Sequence, residues 1–84
     1  MHPSTPKLSL VDGLALSGLS YEELWLHQIS IGGVAGRFET EAYVLGLLVP
    51  DAHQHNVIAH ALNECLIEQG RPSSVGYWDT VRAR

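Results

Sequence analysis

The stretch RFETEAYVLGLLVPD, residues 37–51, decides how this chain packs. At about 100° per residue, Phe38, Ala42, Leu45 and Val49 fall on one side of a helix, and Tyr43, Val44 and Leu47 fall nearly opposite. Pro50 disfavours helical geometry at Val49, so the spacing predicts a helix over 37–48. A helix that is apolar on two sides is central in a bundle or shared with a partner. Gly46 inside it costs about 1 kcal/mol against Ala and reads as a point of close backbone approach.

Upstream, GGVAG at 32–36 is a turn. Before it, SYEE at 20–23 is a capping box, in which Ser20 caps the Glu23 amide and the Glu23 side chain reaches back. Leu19 and Leu24 are placed to staple that helix start, and two glutamates suit its positive end. Tyr21, Leu24, Trp25, Ile29 and Ile31 share a face, with Gln28 near its middle, which predicts a helix over 21–31. Further back, LSLVDGLALSG at 8–18 is broken by Gly13 and Gly18 and is compatible with a short strand, a loose helical turn or a leader. The reading adopted is a flexible leader over 1–19.

Downstream, Asp51 behind Pro50, with Gln54 three residues on, starts a helix whose core face is Ile58, Ala61, Leu62, Cys65 and Leu66. Gly70 suits a position just past its end and Pro72 prevents continuation, so a helix over 52–69 is expected. The remainder, RPSSVGYWDTVRAR, reads as an irregular tail carrying Tyr77 and Trp78. The expected architecture is therefore all-α: a small three-helix bundle in a single domain over 20–84, with the helix over 37–48 at its centre.

The 84 residues hold five Lys+Arg against nine Asp+Glu, a net charge of −4. Nucleic-acid binders draw most of their affinity from cations that displace phosphate counterions, so this balance argues against that class. A helix-turn-helix reader is the alternative weighed: the second helix would present Arg37, but Glu39 and Glu41 follow it and would repel phosphates. A small basic tail of Arg71, Arg82 and Arg84 remains. Charged residues make up 17% of the chain, below the usual quarter, which suggests that some apolar surface meets another protein. No apolar run approaches the roughly 18 residues a membrane span needs. The start, MHPSTPK, lacks the pattern of a secretory signal, and Cys65 is alone, without an intrachain disulfide partner. The expected setting is cytoplasmic, and no cofactor is implied.

DAHQHNVIAH, 51–60, carries three of the five histidines. His55 falls on the apolar side of its helix, whereas His53 and His60 fall on the polar side with Asn56, Asn63 and Glu64. His60 and Glu64, four apart, are spaced to hold one ion, and His53 is the third weak metal candidate. A zinc site needs three or four ligands, and His53 lies two turns from His60, about 10 Å, so a solvated polar face is the plainer reading. Gln28, His55 and Glu41 are the polar residues on or beside apolar faces, and a shared polar pocket is the sharper reading of them. Cys65, on the core face with no base on its own side, reads as a small hydrophobe. The expected function is a small interaction or regulatory module with a protein partner or a second copy, through Tyr43, Val44, Leu47, Tyr77 and Trp78.

Overall fold

The computed structural model describes residues 7–78, and within them the chain forms four helices: α1 (Leu10–Ser17), α2 (Tyr21–Ser30), α3 (Arg37–Leu45) and α4 (Ala52–Glu68). The helical class is as expected, but the count is four rather than three, because part of the expected leader folds. Ser9 caps α1 by accepting the Asp12 amide at 3.2 Å, and the i, i+4 pair Leu10 and Leu14 is buried in the core. Gly13, which looked like an interruption, is a contact: a Cβ there would run into Val75 Cγ2. Residues 1–6 and 79–84, with Arg82 and Arg84, lie outside the described residues.

Both predicted caps form. Ser20 Oγ accepts the Glu23 amide at 3.1 Å while Glu23 Oε1 accepts the Ser20 amide at 2.8 Å, and Asp51 Oδ1 accepts the Gln54 amide at 2.8 Å. Beyond α4, the Gly70 amide donates to Ile67 and the Arg71 amide to Leu66, both at 2.9 Å, the paired bonds of a Schellman ending.

The same ending corrects the reading of residues 37–48. Gly46 has φ of +82°, and the amides of Gly46 and Leu47 donate back to Tyr43 and Ala42. The residue expected in the helix interior is the residue that stops it, in the left-handed conformation that glycine adopts without a Cβ clash. Leu47, Leu48 and Val49 therefore leave the helix and stand exposed.

α4, not α3, occupies the centre. It packs against α1 and α2, and eight of its residues are buried, whereas α3 buries only Thr40 and Val44. The core joins Leu10 and Leu14 of α1, Leu24 of α2, Val44 of α3, Ile58, Leu62 and Leu66 of α4, and Val75. In α2, Gln28 takes the fully buried place and Ile29 is exposed. The Gln28 amide donates to the Ala35 carbonyl at 3.0 Å, and Gly33 leaves room for it, since a Cβ there would collide with the Gln28 side chain.

As far as Trp78 the tail is irregular, as expected, but it is tied to the rest of the chain. Leu8 and Val75 form a parallel bridge, and residues 74–78 run back along α4. Asn63 donates to the Val75 carbonyl at 3.0 Å and accepts its amide at 2.7 Å. Asn56 does the same for Trp78, at 3.0 and 2.7 Å. Seven helical residues rise about 10.5 Å and three extended ones span about 10 Å, which is why asparagines two turns apart can clamp residues three apart. The side of α4 read as a solvated polar face is thus partly covered, and Asn63 is buried. No helix among the described residues is long and apolar enough to cross a membrane.

Candidate functional site: an apolar groove and a histidine-glutamate chain

Two open cavities flank the C-terminal segment. One, of about 260 Å³, lies where the start of α1, the end of α3 and Trp78 meet, and Val11, Tyr43, Val44, Leu48, Val49 and Trp78 contribute to its walls. Gly46 builds it: by ending α3 there, the chain turns Leu48 and Val49 across the helix end toward Val11. Three of the five predicted interaction residues, Tyr43, Val44 and Trp78, converge on this groove. Trp78 is held in place by stacking on His55, with ring centroids 4.3 Å apart, while the His55 Nε2–H donates to the Gly76 carbonyl at 2.9 Å.

The accessibility of the two apolar stripes is reversed from a simple outward-facing second stripe. Val44 is buried and Tyr43 half-buried, forming the groove floor, while Leu47 is 75% exposed and lies outside it. Phe38, Leu45 and Val49, of the first stripe, are exposed, Phe38 to 79% and Val49 to 85%. Tyr77 belongs to the other cavity, of about 450 Å³, walled by Ile31, His53, Asn56, Val57, His60 and Tyr77.

His53 and His60 share that second cavity, but His27, not His53, joins His60 at Glu64. Glu64 Oε1 lies 2.9 Å from His27 Nε2 and Glu64 Oε2 lies 3.3 Å from His60 Nε2. An ionised carboxylate only accepts, so each ring donates its Nε2–H to Glu64. On the other side of each ring, His60 Nδ1 lies 3.3 Å from the Tyr77 hydroxyl and His27 Nδ1 lies 3.5 Å from Cys65 Sγ. The result is one chain of five titratable groups: Tyr77, His60, Glu64, His27 and Cys65. The His27 hydrogen bond and the nearby His60 hold the Glu64 carboxyl below its usual range, against a smaller opposing effect of burial. Burial, reinforced by Glu68, Glu64 and Glu23, pushes the Cys65 thiol up.

The buried setting of Cys65 is as expected, and its histidine neighbour, His27, comes from α2 across the helix pair rather than from its own helix. The spacing of His60 and Glu64 was visible along α4, whereas His27 lies 37 residues from Glu64 and has no local signal. Among the described residues no group of three or more His, Cys, Asp or Glu is arranged to hold a metal ion. Gln28, His55 and Glu41 are not joined by any hydrogen bond; the first two turn to separate backbone carbonyls. Arg37 lies 4.0 Å from Glu22 and over the Phe38 ring, and Arg71 bonds to Gln69, so these two cations sit at opposite ends of different helices and form no stripe. Comparison with family models, curated proteins and solved structures finds no match for this chain.

Proposed function

We propose that this protein is a small interaction module that associates with a second copy of itself through the groove between α1, α3 and Trp78. The observation that carries the reading is the convergence of Tyr43, Val44 and Trp78 on one open, mostly apolar cavity rimmed by exposed Leu48 and Val49. Apolar side chains left in water cost about 25 cal/mol per Å², and clustered ones mark association sites. Tyr and Trp are enriched among residues that dominate interface energetics.

Sedimentation velocity over a wide concentration range tests this. A concentration-dependent shift from monomer to dimer is expected, abolished by Val49→Asp, whose 85% exposure leaves the monomer fold untouched. A strict monomer at millimolar concentration, or a dimer indifferent to Val49→Asp, overturns it.

A further inference from the structure

In the wall of the groove, we propose that His55 makes self-association depend on pH: two copies join while its imidazole is neutral and separate when it takes up a proton. The inference rests on the groove being where copies meet, and it names the group that controls the meeting. His55 is 8% exposed and its ring lines the groove. A carbonyl oxygen only accepts, so the bond to Gly76 places a proton on Nε2. In the neutral ring Nδ1 is then the nitrogen without a proton, and among the described residues the bond to Gly76 is the ring's only hydrogen bond. Trp78 lies flat on one face of the ring, with centroids 4.3 Å apart and 10° between the planes.

The surroundings offer a second proton no counter-charge. Among the described residues the groove wall carries no carboxylate, Lys or Arg, and Tyr43 of α3 is its only other titratable side chain. On α4, Asp51 stands one turn before His55, but its carboxylate caps the Gln54 amide. Beside Gly76 packs Lys7, itself a cation, with its ammonium 3.2 Å from Ser74 Oγ. While the groove is open, water reaches its wall, and the Trp78 face offers an imidazolium a cation–π contact. A second copy seated there expels that water, and a buried charge without a partner is costly. A symmetric pair brings two such rings. Histidine is the side chain that changes charge between pH 5 and 8, so association is coupled to proton release across that range. Overall charge pulls the other way. Protonating the five histidines takes the chain from −4 toward neutrality, which by itself favours association in acid.

The test is sedimentation velocity of the full chain at pH 7.5 and pH 5.5. The dimer Kd is expected to rise by about tenfold or more at the lower pH. His55→Gln, which keeps a donor for the Gly76 carbonyl and does not titrate, is expected to remove that rise, while His53→Gln, outside the groove, keeps it. Because His55 is buried, a second measurement uses the native protein alone. The ring-proton resonances of His55 are followed through a pH titration at low and at high protein concentration, and the midpoint is expected to fall as the dimer fills. A dimer of equal Kd at both pH values, or a His55 midpoint indifferent to concentration while dimers form, overturns the proposal and leaves the groove as the meeting place. A monomer at both pH values overturns the groove reading and this proposal with it.

Discussion

Along α4, Asn63 and His55 are buried and, with the half-buried Asn56, matched to the backbone of residues 74–78, while along α3 and its exit Phe38, Leu45, Leu47 and Val49 stand in solvent. The two helices follow one another in the chain, yet the two-sided apolar pattern over residues 37–48 points to the wrong one as the centre. What separates them is whether each polar group finds a partner. Burial of a polar side chain is tolerated when its donors and acceptors are met, and Asn63 meets both groups of Val75. An apolar face, by contrast, is buried only if something arrives to cover it, and a chain this short buries only about 60 to 65% of its unfolded surface.

The contrast breaks most visibly in the α4 core. Leu62→Ala removes a fully buried side chain and is expected to cost about 2 to 5 kcal/mol, read by urea unfolding. A loss under 1 kcal/mol would mean that α4 is not the centre. Next comes Asn63→Ala, which leaves the Val75 amide and carbonyl without their partner and is expected to cost about 1 to 3 kcal/mol. Asn56→Ala, at the more exposed end of the same clamp, is expected to cost less, because water can replace it at Trp78. Equal losses at the two asparagines would remove burial as the reason for the difference. On α3, Phe38→Ser is expected to change monomer stability by no more than about 0.5 kcal/mol, since the ring is 79% exposed.

Acid sharpens the comparison from the α2 side. Glu64 has a folded-state pKa below its ordinary value of 4.5. The folded state therefore binds its proton less readily than the unfolded chain does. The stabilisation is fully present above the ordinary carboxylate value and is lost as pH falls through the lowered one. Thermal melts from pH 6 down to pH 3 are expected to show a steeper decline for wild type than for Glu64→Gln. Parallel curves would show that the two histidines do not favour the ionised carboxylate.

Much of this was legible in residues 20–70. The capping box at Ser20, the N-cap at Asp51 and the ending at Gly70 are local chemistry, written within a few consecutive positions. Gln28 also announced itself, as a polar residue in the middle of an apolar stripe. The failures at α1 have one cause, contact over long sequence separation. Gly13 reads as a helix breaker until Val75 sits on it, and Leu10 and Leu14 read as leader until α4 gives them a core. Gly46 was read as an interior glycine at a close backbone approach, because Pro50 four residues later drew the boundary too far along. Of the candidate site, Tyr43, Val44 and Trp78 were legible as apolar surface without a partner, while the Cys65–His27–Glu64 contact depends on α2 lying across α4, which no spacing within either helix encodes.

The groove can be interrogated directly by recording amide chemical shifts of the protein over a dilution series. Movements concentrated at residues 43–49, Val11 and Trp78, growing with concentration toward a dimer plateau, are what the α1–α3 interface demands. Shifts that stay constant at every concentration, or that move at His53, Val57 and Ile31 instead, would contradict it.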